Sequence, residues 1–263
     1  MNMLEITDHS ATADAAPGAA FIREIRLARP PVNALNVDLL RAINAALPAA
    51  KSAAAVIMTG QAGIFSAGLD VRGMLALDRD AVTATFVELW RAARAVAMAP
   101  MPVIFGLTGH SPAGGTVLAV QGDYRVMAQG DFRLGLNEVQ VGLFPGALIH
   151  GAFQRLAGGH AAQFLTRGTL MDPATAFRIG LVDELCEPGE VVARALAMAR
   201  EFCALPRDAM LRTRELTRRD LIDLYGKPGQ DLLQEREFGA MATEKWFVPA
   251  TQERLKLAFT KKG

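Results

Sequence analysis

The hydrophobic residues of this chain follow two periods, and which one dominates changes along its length. Unbroken apolar runs at 54–59 and 103–107 read as buried strands, because a strand covered on both faces needs no polar side. Met3–Thr7 and Phe21–Leu27 read as two more strands, joined by an Ala/Asp/Gly/Pro-rich loop. Tyr124–Met127 and Phe132–Leu134 read as short ones. Helical spacing places Val82, Phe86, Leu89, Ala93 and Val96 on one stripe, predicting a helix over 80–97 that Pro100 and Pro102 end. Asn36 is placed to cap a helix over 38–46, and Asp172-Pro173 opens a helix that Gly180 stops. A further helix is expected at 148–156, closed by Gly158-Gly159, and a short one at 116–121. From Pro188 onward no strand signal remains, and helical segments are expected at 189–204, 207–224, 230–245 and 249–261. The reading is an α/β core over residues 1–188 and a helical C-terminal region over 189–263.

Composition narrows the function classes. The chain has 263 residues, with 28 basic and 27 acidic side chains and no long basic run, so nucleic acid is not an expected partner. Cys186 and Cys203 are too few for a disulfide framework and fit reduced thiols in a cytoplasmic protein. His9, His110, His150 and His160 stand apart, away from metal-ligand spacing, so no metal site is expected. Early acids (Glu5, Asp8) argue against a secretory leader. The most apolar stretch, 92–107, is interrupted by Arg94 and two prolines, so no membrane span is expected.

Three segments carry candidate chemistry. Phe65-Ser-Ala-Gly-Leu-Asp70 follows a buried strand, and its glycine lets the next N–H point outward toward a ligand. Read alone, it is equally an ordinary strand-to-helix turn. Ser111-Pro-Ala-Gly-Gly115 lies between a strand and a helix, where free N–H groups and the helix dipole favour a negative charge. Tight helix–strand packing also uses such glycines. Gly109-His-Ser-Pro-Ala-Gly114 imitates a serine nucleophile elbow, but Pro112 lacks the N–H that the elbow needs after its serine. In Gly135-Leu-Asn-Glu-Val-Gln-Val-Gly142, Glu138 stands among apolar residues and glycines. It is either a solvated loop carboxylate or a general base with a pKa raised by desolvation.

In this order and spacing the segments resemble the crotonase superfamily, the enoyl-CoA hydratases and isomerases. The resemblance runs from Pro31-Val-Asn-Ala-Leu-Asn36 through Val56-Ile-Met-Thr-Gly60, Phe65–Asp70, Ala113–Ala119, Asp123, Leu136–Gly142 and Pro145-Gly146 to Gly180-Leu-Val-Asp183. It implies a crotonase-like spiral of ββα turns with a helical C-terminal trimerisation region, and a homotrimer or dimer of trimers. The implied oxyanion donors are the N–H groups of Leu69 and Gly114. The coenzyme A portion of an acyl-CoA thioester, the implied substrate, would lie along Ala67, Gly68 and Asp70, with Arg72 at a position often basic. No separate cofactor is implied. A lysine found in some relatives is replaced by Gly63, leaving Lys256 or Lys261 as substitutes.

The hydratases of this superfamily use two glutamates around a water. Here one position holds Val117 and the other Glu138. Ser111–Gly115, Asp123–Arg125 and Gly135–Glu138 are especially similar to the Δ3,Δ2-enoyl-CoA isomerases, implying a single-glutamate proton shuttle. The alternatives are a hydratase or another crotonase-type lyase or hydrolase, and a non-catalytic acyl-CoA-binding subunit. Met74, Leu75, Leu77, Phe86, Trp90 and Phe144 are candidates for the acyl tail, or plain core.

Overall fold

The structure is a computed structural model and describes residues 3–12, 20–226 and 231–260. Most of the expected loop between the first two strands, and Lys261, lie outside the described residues. The chain opens with β1 (Leu4–Ser10), β2 (Phe21–Leu27) and helix α1 (Val37–Ala49). Asn36 caps α1, its side chain accepting from the Leu39 N–H at 2.9 Å.

Three turns of one motif follow. The first is β3 (Ala55–Thr59), β4 (Gly63–Ile64), α2 (Val71–Met74) and α3 (Arg79–Ala97). The second is β5 (Val103–Leu107), β6 (Gly109–Pro112) and α4 (Gly114–Ala119). The third is β7 (Tyr124–Ala128), β8 (Leu134–Gly135), a 3-10 turn at Glu138–Val141, α5 (Gly146–Ala157), α6 (Ala161–Arg167) and α7 (Pro173–Arg178). Strand β9 (Glu184–Cys186) then precedes α8 (Val191–Ala204), α9 (Arg207–Thr217), α10 (Arg219–Leu224), α11 (Asp231–Trp246) and α12 (Pro249–Thr260).

Each turn gives its first strand to a sheet ordered β1-β2-β3-β5-β7-β9 and its second to a smaller sheet ordered β4-β6-β8. All pairings are parallel except β1 with β2. Repeating this step produces a spiral of ββα turns. Every residue of β3 and β5 is buried, and the period-two alternation sorts them between two cores. Val56, Met58, Val103 and Phe105 face the larger core with α1 and α3, while Ile57 and Ile104 face Val191, Ala195 and Ala199 of α8. The first C-terminal helix therefore covers one face of the main sheet.

Helix α11 crosses α3 and is tied to it by an Arg91–Glu235 ion pair at 2.7 Å and a Thr83–Thr243 hydroxyl contact at 2.9 Å. Among the described residues no helix is long and apolar enough to cross a membrane.

Two local differences from the sequence reading matter for function. β4 and β6 are not among the strands expected from the sequence, because two to four residues are too short to show a period. Helix α4 begins at Gly114 rather than Thr116, which places its unpaired N-terminal N–H groups at the glycines themselves.

Candidate active site

The first donor segment is held as a single strand-like pass beside Leu35. The Leu35 N–H donates to the Gly68 carbonyl at 2.8 Å, and the Leu35 carbonyl accepts from the Asp70 N–H at 3.1 Å. Backbone groups alternate sides along an extended segment, so the Leu69 N–H faces away from Leu35. Buried Asn33 fixes the loop from beneath. Its Oδ1 accepts from the Arg29 N–H and from Gln61 Nε2, each at 2.9 Å, and its Nδ2 donates to the Phe65 carbonyl at 3.0 Å. Ser66 Oγ donates to the Asn33 carbonyl at 2.8 Å and accepts the Gly68 N–H at 3.1 Å. Gly68 has φ +85°, where a side chain is strained.

The second donor opens α4. Gly114 is its first residue, so its N–H has no intrahelical acceptor. Ala113, just before it, has φ 48° and ψ −116°, a strained conformation for a residue with a Cβ. The Ala113 N–H donates to the Gly135 carbonyl at 2.8 Å, and its carbonyl accepts the Val117 N–H at 2.8 Å. These bonds hold the strain that aims the next peptide.

The two segments touch. A Cβ built on Gly68 would lie 3.2 Å from the Gly114 nitrogen, and one built on Gly114 would lie 3.3 Å from the Leu69 nitrogen. Among the described residues neither of these N–H groups has a hydrogen-bond acceptor.

Both N–H groups belong to residues lining one cavity of about 360 Å³, and Glu138 lines it too. Glu138 begins the 3-10 turn that Gly142, at φ 86°, closes. The residue is half-buried, but its Oε2 is enclosed and has no hydrogen-bond partner among the described residues. Burial of the carboxylate pushes its pKa up from 4.5 to about 7, against a smaller opposing effect of a hydrogen bond from its own backbone. No other carboxylate lines this cavity among the described residues. Val117 is buried at 1% exposure.

Ala67 and Arg72 also line the cavity. Asp70 does not. Its carboxylate caps α2 through the Gly73 N–H and pairs with Arg29 at 2.8 Å, and its carbonyl accepts the Met74 N–H at 2.8 Å. Exposed Lys256 sits on α12, the helix that reaches the cavity.

The acyl-tail candidates divide between core and cavities. Phe86, Trp90 and Met74 are core, and Leu77 lies beside Asp70 on a smaller cavity of about 180 Å³. Phe144 lines a separate cavity of about 370 Å³ that shares Glu138. The wall next to the donors comes instead from Leu89, Leu143, Leu170, Trp246, Leu255 and Phe259. The last three belong to α11 and α12, over a hundred residues away in sequence, which local periodicity cannot reveal.

A larger cavity of about 430 Å³, lined by none of these groups, lies beside Asp123, Arg214 and Arg218. Its buried carboxylate is already paired with both arginines, at 2.8 and 2.9 Å, and serves to anchor α9 and α10.

One backbone N–H on the Leu69 segment and one at the start of α4, beside a single enclosed carboxylate, form an arrangement that can hold a negatively charged oxygen next to a base. The Enoyl-CoA hydratase/isomerase family model matches residues 18–229, and the chain belongs to that family. It is 30% identical over 230 residues to the mitochondrial enoyl-CoA delta isomerase 1 of Rattus norvegicus, covering 84% of this chain and 76% of that protein. It is 35% identical over 196 residues to a probable enoyl-CoA hydratase of Mycobacterium avium, covering 73% and 76%. The fold superposes on human mitochondrial delta3-delta2-enoyl-CoA isomerase with a TM-score of 0.87 over all of both chains, at 23% identity. An enoyl-CoA hydratase/isomerase family protein from Pseudomonas syringae gives a TM-score of 0.74 at 29% identity, covering 88% and 96%. The fold is thus the crotonase α/β spiral with a helical C-terminal region.

Proposed function

We propose that this protein moves the double bond of a 3-enoyl-CoA to give the 2-trans-enoyl-CoA, using Glu138 as a single proton shuttle. The observation that carries the reading is one carboxylate on the donor-lined cavity, with buried Val117 at the other glutamate position of a hydratase. Hydration needs a second group to orient and activate water, whereas moving one proton between two carbons needs one base.

The Glu138 carboxylate takes a proton from C2. The C2–H electrons move toward the thioester carbonyl, giving a dienolate. The Leu69 and Gly114 N–H groups donate to its oxygen, and the N-terminus of α4 faces it. Glu138 returns the proton at C4, and the electrons settle as the C2=C3 double bond. Coenzyme A, carried in as part of the substrate, runs along the backbone of Ala67, Gly68 and Asp70, with Arg72 toward its phosphates. The protein works as a homotrimer or dimer of trimers through its C-terminal helices. Free Cys186 and Cys203 suit a reducing compartment such as the cytoplasm.

The second reading is enoyl-CoA hydration, favoured by the Mycobacterium avium relative's name. The test gives the enzyme 3-hexenoyl-CoA and 2-hexenoyl-CoA separately. The expected result is rapid isomerisation of the first and hydration of the second slower by roughly 100-fold or more, the usual contribution of one acid–base group. Comparable hydration would replace the isomerase reading with the hydratase one.

The pH profile follows from the Glu138 titration. The base must be ionised, so kcat/KM for isomerisation should climb about tenfold per pH unit below about 7 and level off above it. A profile already flat from pH 5 upward would show that the base is not a desolvated carboxylate.

A further inference from the structure

The Gly114 donor and the Glu138 base sit on different elements, α4 and the turn after β8, so something must fix their separation. The register of β6 on β8 pairs Ser111 with Leu134 and Pro112 with Gly135. In a parallel ladder this register aims the Gly135 N–H at the Ser111 carbonyl. Thr116 Oγ1 sits on that rung. It accepts from the Gly135 N–H at 2.8 Å and donates to the Ser111 carbonyl at 2.6 Å. Thr116 is 1% exposed, lies two residues after Gly114, and joins α4 to the peptide three residues before Glu138.

We propose that Thr116 is a positioning residue whose hydroxyl couples the Gly114 donor to the strand that delivers Glu138. Of the backbone bonds across this junction, Ser111 N–H to the Arg133 carbonyl and Ala113 N–H to the Gly135 carbonyl, each at 2.8 Å, the second fixes the opposite side of the same glycine. With the hydroxyl present, Gly135 is clamped through both its N–H and its carbonyl. Without it, the Gly135 N–H loses a buried acceptor, and the link from α4 to this peptide is broken beside the strained turn at Ala113.

The activity arm of the test rests on the isomerase reading. The spectral arm rests only on the two donors. Thr116→Val keeps the side-chain shape and removes the hydroxyl, while Thr116→Ser keeps the hydroxyl. For Thr116→Val we expect kcat on 3-hexenoyl-CoA to fall by roughly 10- to 100-fold with KM little changed, the scale of a misplaced catalytic geometry. Thr116→Ser should stay within about threefold of the parent, since it retains both hydrogen bonds.

The spectral probe is 2,4-hexadienoyl-CoA, whose absorption band moves to longer wavelength when hydrogen bonds polarise its carbonyl. That shift should shrink in Thr116→Val and persist in Thr116→Ser. If Thr116→Val does not fold, Thr116→Ala carries the same comparison. A folded hydroxyl-free variant with the parent's kcat and band shift would overturn the proposal. So would Thr116→Ser losing as much as Thr116→Val. A parent inactive on 3-hexenoyl-CoA but with a normal band shift would sink the isomerase reading and leave this test standing.

Discussion

Glu138→Gln is expected to lower kcat for isomerisation of 3-hexenoyl-CoA by about 10²–10⁴-fold, the range attached to a positioned acid–base group. Substrate binding should change little, because the amide keeps the size of the carboxyl. The same substitution has a second, opposite effect on stability. The Glu138 pKa is raised on folding, from 4.5 to about 7, by desolvation. Below about pH 4.5 the folded and unfolded chains both hold the proton, and there is no penalty. Between 4.5 and 7 the unfolded chain ionises first, so stability falls as pH rises. Above about 7 the full penalty applies, no more than about 3 kcal/mol. Glutamine never ionises. Its Tm should therefore exceed the parent's at pH 8 and converge with it near pH 4.5. Steady-state rates and thermal melts across this range check both halves. Retained isomerisation would remove Glu138 from the chemistry, and a Tm difference independent of pH would show that its carboxylate is not dry.

Gly68→Ala tests the other half of the site. The new methyl would lie 3.2 Å from the Gly114 nitrogen and 3.0 Å from the Ala113 Cβ, in the space between the two donor segments. It would also sit at φ +85°, where a Cβ costs roughly 1–2 kcal/mol. The expected loss in kcat/KM is about 10²–10³-fold, comparable to removing one oxyanion donor. Circular dichroism and Tm separate that loss from unfolding. A folded variant with the parent's rate would mean that the reacting oxygen does not bind here.

Part of this site is legible residue by residue. Asn36 and Asp172 cap helices as their types and places suggest, because capping is a local side-chain-to-backbone bond. Glu138 read alone is equally a solvated loop carboxylate, and its match to the family pattern is what singles it out. Other parts have no local signal. Asn33 holds the first donor loop through hydrogen bonds to Gln61, Phe65 and Ser66, 28 to 33 residues away in sequence, and to nearby Arg29. The strain at Ala113 is imposed by tertiary bonds to Gly135, and alanine carries no mark of it. Phe86 and Trp90 take the core alternative. Their helical stripe faces the core, with Leu89 of the same stripe reaching the cavity wall that residues of α11 and α12 help to build. Periodicity gives the face of a helix and leaves open what packs on it.

Two of the three groups assigned to the reacting atoms are main-chain N–H groups, and every residue type except proline supplies one. The side chain at position 69 can therefore drift through many identities with the donor intact. The constraint falls instead on neighbours that never touch substrate: a glycine that leaves room, an alanine forced into an unfavourable turn, an asparagine underneath. The proposed role at position 69 rests on a set of backbone angles, and the side chain there is among the least informative letters of the motif.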